Sequence, residues 1–134
     1  MQRKFHIHFI LLLMVLLTYC GGASSGPVLK WSQLEANCST SAEDYTVISV
    51  SDNTIIFSGE VSADPCATVT SEFRQDDTVL SINFTSTVPD GACIECLGSI
   101  HFGGTISNLT SGDYTVQIIH QGAIVISQSV SVNN

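Results

Sequence analysis

Positive charge is scarce in this sequence. Of its 134 residues only 4 are lysine or arginine, against 12 aspartates and glutamates, for a formal net charge of -8. Arg3 and Lys4 stand at the very start, so Lys30 and Arg74 are the strong bases left for the rest. Gripping nucleic-acid phosphates takes a basic footprint, and this chain has none. The same shortage opposes docking on anionic lipid head groups. The acidity instead reads as a well-solvated surface suited to a salty or crowded exterior.

Long apolar runs are scarce too. The stretch Phe9 to Leu17 is the extended one, and even counted from Phe5 to Tyr19 it is shorter than the roughly 20 residues a spanning helix needs. With Arg3-Lys4 before it and Thr18-Tyr19-Cys20-Gly21-Gly22-Ala23 after it, the segment has the layout of an export signal. Leu17-Thr18-Tyr19-Cys20 also has the outline of a lipobox, where cleavage exposes a cysteine that carries lipid. Tyr19 departs from it, standing where Gly, Ala or Ser is usual. Cys20 is therefore the lipidation candidate, with residues 1–20 as signal, 21–36 as a flexible tether and 37–134 as the folded domain. Cleavage near Gly22 or Ala23 gives a soluble secreted protein instead. The expected location is the outer face of the cell membrane, or the medium.

Helical periodicity is missing after the signal. Tyr45 to Val50, Thr54 to Val61, Ala67 to Phe73 and Val79 to Thr85 are short, β-branched and separated by turn clusters such as Ser51-Asp52-Asn53 and Gln75-Asp76-Asp77. Leu80, Ile82 and Phe84 fall on one face; so do Ile100, Phe102 and Ile106, and Tyr114, Val116 and Ile118. Turn signals at this spacing predict an all-β fold, an antiparallel Ig-like β-sandwich of about seven strands. Val28 to Glu35 reads either as a first strand or as one helical turn. Trp31, the single tryptophan, is expected to cap the core edge.

Catalytic signatures are absent as well. There is no Gly-x-Ser-x-Gly elbow, no His-Glu-x-x-His and no phosphate-cradling glycine loop. Asp76-Asp77 and Asp52-Asn53 are turn formers, since a calcium loop wants several spaced oxygens. No catalysis and no cofactor are expected.

What the chain does have is a dense cysteine motif, Gly91-Ala92-Cys93-Ile94-Glu95-Cys96-Leu97-Gly98. Setting Cys20 aside leaves Cys38, Cys66, Cys93 and Cys96, an even set able to pair outside the cytoplasm. If strands alternate in direction, these four and His120 gather at one pole of the sandwich. Two disulfides are the leading expectation. Cys38–Cys66 with Cys93–Cys96 closes the shortest loops; the alternatives tie Cys93 and Cys96 separately to Cys38 and Cys66. A different reading makes Cys93, Cys96 and His120 metal ligands, although the second Cys-x-x-Cys of a zinc site is missing. A third makes Cys93 and Cys96 a redox pair, which Glu95 opposes by raising thiol pKa. His101 and His120 fall on opposite faces and share an ion only if Gly103-Gly104 bulges.

Three sequons mark Asn37, Asn83 and Asn108 as glycosylation candidates, with Asn37 hindered if Cys38 is paired.

The order of lipobox-like cysteine, lone Cys38, the Ile55 to Gly59 strand, Pro65-Cys66-Ala67, Ala92-Cys93-Ile94-Glu95-Cys96 and Ile119-His120-Gln121-Gly122 resembles small lipobox envelope proteins of archaea, especially halophiles. The resemblance runs from about Asn37 to Gly122, and implies location and fold but no activity. The combined expectation is an exported, lipid-anchored, disulfide-stapled binding or structural module. Its partner would be an envelope protein or a glycan, with no nucleic acid and no membrane contact beyond the anchor. The alternative is an extracytoplasmic metal or thiol-redox protein.

Overall fold

The computed structural model describes residues 26–38, 45–91, 96 and 98–133. The expected signal, Cys20 and Cys93 lie outside the described residues. Among the described residues eight strands follow one another: β1 (Val28–Cys38), β2 (Tyr45–Ser51), β3 (Thr54–Ser62), β4 (Thr68–Asp76), β5 (Val79–Thr87), β6 (Gly98–Ser107), β7 (Gly112–His120) and β8 (Ala123–Val132). They form two four-stranded sheets, sheet I in the order β1-β6-β3-β2 and sheet II in the order β4-β5-β7-β8. The β-sandwich expected from the period-two pattern is what the chain forms.

Two details differ from expectation. Val28–Cys38 is a full strand paired with β6, so the folded domain begins near residue 28 and residues 28–36 are not tether. The ambiguity arose because β1 is an edge strand whose second half is exposed throughout, which erases its alternation. Secondly, β5 and β7 pair in parallel while the other pairs are antiparallel. The strands still alternate in direction along the chain. Because β6 crosses to sheet I between them, β5 and β7 run the same way when they meet.

The inward faces build one core. Ile55, Phe57, Val61, Leu80, Ile82, Phe84, Ile100, Phe102, Ile106, Val116 and Ile118 are buried, and each sits at the period-two position its strand predicts. Phe84 joins the sheets, with its ring 4.8 Å from that of Phe102 and 5.0 Å from that of Trp31. Trp31 thus caps the core edge, half-buried, as expected. Glycine makes room for the large rings. Phe57 is the cross-strand partner of Gly104 and Phe102 that of Gly59, and a Cβ at either glycine would collide with the facing ring.

The β6–β7 connection is pinned by Tyr114, whose hydroxyl donates to the Thr110 carbonyl at 3.0 Å and lies 3.1 Å from Thr110 Oγ1. This back-bond from the start of a strand to the preceding turn is the tyrosine corner of β-sandwiches. The register shifts at Gln33/Glu35 and at Ile118/Ile119, whereas pairing runs unbroken through Gly103-Gly104.

Candidate functional site

Strand direction brings the chemistry to one pole. β1 ends at Cys38 opposite Gly98, and β3 ends at Ser62 opposite Ser99. The turn into β4 is held by Asp64, whose Oδ1 accepts from the Cys66 amide and whose carbonyl accepts from the Ala67 amide, both at 2.8 Å. Ala63 donates its amide to the Gly98 carbonyl at 3.1 Å, docking that turn on the start of β6. His120 ends β7 beside Phe84 of β5. Cys38, Cys66, Cys96 and His120 therefore share the pole that strand alternation predicts, and Cys93 lies outside the described residues.

The pairing corrects the shortest-loop expectation. Cys38 is bonded to Cys96, with Cα atoms 5.7 Å apart across 58 residues of sequence. Sheet pairing outweighs proximity along the chain here: the β1–β6 register sets Cys38 opposite Gly98, two residues past Cys96. Cys66 is also disulfide-bonded. Its partner is neither Cys38 nor Cys96, and so lies outside the described residues.

This geometry bears on the metal and redox readings. Cys96 is bonded to Cys38 rather than to Cys93, so it offers no thiolate in this state. His120 is buried, with Nε2 2.9 Å from Ser86 Oγ. Among the described residues no group of three or more His, Cys, Asp or Glu side chains is placed to hold a metal. His101 lies on the outer face of sheet I, its Nε2 3.3 Å from Glu60 Oε2, and pairs in register with Glu35 on its other side. With no bulge at Gly103-Gly104, it cannot meet His120.

Of the sequon asparagines, Asn37 is exposed at the end of β1 beside the disulfide. Asn108 is exposed in a turn with φ 61°. Asn83 is different. It is half-buried in mid-strand on the outer face of sheet II, and its Oδ1 is shielded with no hydrogen-bond partner among the described residues.

Asn83 belongs to a feature that sequence reading did not find. A pocket of about 300 Å³ opens on that outer face, lined by Glu72, Arg74, Ser81, Asn83 and Ile119. Its residues come from β4, β5 and β7, and only the parallel β5–β7 pairing sets Ile119 beside Asn83. The available signal was the polar outward row Ser81, Asn83, Thr85, broken on the neighbouring strand by an apolar Ile119.

No protein family, curated protein or solved structure matches the chain.

Proposed function

We propose that this chain is an exported, disulfide-stapled β-sandwich that acts by binding rather than by catalysis. It is held on the outer face of the cell membrane through lipid on Cys20, or secreted, and it engages an envelope protein or a glycan. The observation that carries this reading is the Cys38–Cys96 bond, together with the bonded state of Cys66. Disulfides of this kind persist in oxidising compartments, which agrees with the signal-like start. The likeness to archaeal lipobox proteins supports the same location. The acidic surface, with Lys30 and Arg74 its only strong bases beyond the leader, favours a soluble display module over a nucleic-acid or lipid binder.

The test is the intact mass of the mature protein from its own host, taken under native, non-reducing conditions. A mass below that of the reduced chain by the hydrogens of its disulfides, with no metal, is the expected result. A full complement of thiol hydrogens, or a bound ion, overturns the reading in favour of a working metal or redox site. The same spectrum separates a lipidated Cys20 from a secreted chain.

A further inference from the structure

We propose that the outer face of sheet I is a self-association surface, on which a second copy of this chain packs about a two-fold axis. The inference goes beyond the reading of the chain as a binding module, and does not depend on what that module binds.

The face is apolar where a solvated sheet would be polar. Ile48, Phe57, Val61, Phe102 and Ile106 point into the core, so the residues next to them in each strand point out. Among these outward residues Val47 is 60% exposed, and Tyr45 and Ile56 are exposed beside it. Leu34, the extra residue where the β1–β6 register shifts, is 61% exposed. It lies over Gly103, since a Cβ built on that glycine would stand 3.4 Å from Leu34 Cδ1. The other exposed large apolar side chains among the described residues are Val28, at the far end of the same face, and Val88 and Ile124, which lie elsewhere. Single exposed apolar residues are ordinary, whereas a cluster on one face marks a surface that another molecule covers.

Cross-strand pairing orders this face into three rows. The middle row is Ser32, Gly103, Ser58 and Val47, with Leu34 folded over the glycine. Glu35, His101, Glu60 and Tyr45 flank it on one side; Lys30, Thr105, Ile56 and Ser49 flank it on the other.

That layout is self-complementary, which is why the occupant is a second copy. A two-fold axis along the middle row turns each flanking row onto the opposite one and keeps every strand over its own counterpart. Lys30 of one copy then meets Glu35 of the other, and the same contact recurs across the axis. Leu34 and Val47 of both copies fill the middle, and the bare Gly103 positions leave room for the leucines. Tyr45 comes down beside Ile56 of the other copy. Glu60 is already engaged within its own sheet, 3.3 Å from His101 Nε2. A chain of net charge -8 would otherwise repel its own copy, and one of its few strong bases stands on this face. Four strands over eight residues give a face of about 500 Å², or about 1,000 Å² for the pair. That is the low end for a specific interface, so the dimer is a weak one in the micromolar range.

Sedimentation of the mature protein from low micromolar to millimolar concentration tests the surface. A reversible shift from one copy to two is expected. Val47→Glu, at an exposed position, should keep the thermal midpoint and weaken the dimer roughly tenfold or more. Lys30→Glu and Glu35→Lys should each weaken it alone, and mixing the two variants should restore it, because opposite charges then meet at both contacts. A monomer at every concentration overturns the proposal. So does a mixture that associates no more tightly than its parts. A dimer that survives Val47→Glu, such as one built by strand addition along the β1 edge, overturns it as well. A photo-cross-linker placed at Ser58 should join two copies of this chain in the host; a cross-link to a different protein gives the face to that partner instead. None of these results alters the disulfide mass, so failure of the surface and failure of the exported-module reading remain distinct.

Discussion

Pro65 packs against Gly98 so closely that a Cβ on the glycine would overlap the proline ring and come within 2.7 Å of the Asn37 carbonyl oxygen. The contact joins the turn before β4 to the start of β6, at the pole where the cysteines meet. Gly98→Ala is therefore expected to destabilise the domain by about 1–3 kcal/mol, the usual cost of overpacking a tight contact. Denaturant unfolding of the two proteins side by side measures it. An unchanged midpoint would mean that the turn yields freely.

The Cys38–Cys96 bond closes a long loop, its ends separated by 58 positions in sequence. On the chain-entropy account such a closure stabilises by roughly 4 kcal/mol, because it restricts the unfolded chain. The double variant Cys38→Ser, Cys96→Ser should lose a large share of that in non-reducing unfolding experiments. A loss near zero would show that β1 is held by its pairing with β6 alone.

Cys66 needs a partner from outside the described residues, and Cys20 and Cys93 are the two cysteines there. Cys93 is the expected partner, since it precedes Cys96 by three positions and Cys96 is already fixed at the same pole. A non-reducing digest should yield the Cys66 peptide joined to that of Cys93. A link to Cys20 would remove the lipid anchor from the proposal.

Tyr114 should be sensitive to loss of a single oxygen. Tyr114→Phe keeps the buried ring but removes the donor to the Thr110 carbonyl, at a cost of about 1 kcal/mol. Thermal unfolding reads this as a small downward shift of Tm. Ser131→Ala serves as the control, removing a hydrogen bond to Asp113 between exposed partners and changing stability less.

Expression in a glycosylating host should place sugar on Asn108 and not on Asn83. Asn108 is exposed in its turn, whereas Asn83 sits half-buried in the middle of β5. Asn108→Gln is expected to remove the added mass, and Asn83→Gln to leave it unchanged.

Much of the fold was legible in the residues because a strand's side chains alternate strictly. Leu80, Ile82 and Phe84, and likewise Tyr114, Val116 and Ile118, declare their inner face without any knowledge of a partner. The same alternation placed His101 outside and His120 inside, and strand parity gathered the cysteines at one pole. β1 was less legible, since an edge strand exposed along half its length carries little alternation. The pocket left only a faint trace in the polar row Ser81, Asn83, Thr85, because its two rows need three strands laid side by side in a register that no single strand encodes.

The sequence by itself determined the β class, the inward and outward faces and the acid surface, all of which follow from properties of one residue and its near neighbours. Only the tertiary structure decided which strands touch. It paired β1 with β6 and so joined Cys38 to Cys96, although other pairings close shorter loops. It also laid β5 parallel to β7, setting Asn83 against Ile119. The reason is physical: strand pairing answers to burial of the whole core, and no local pattern carries that sum.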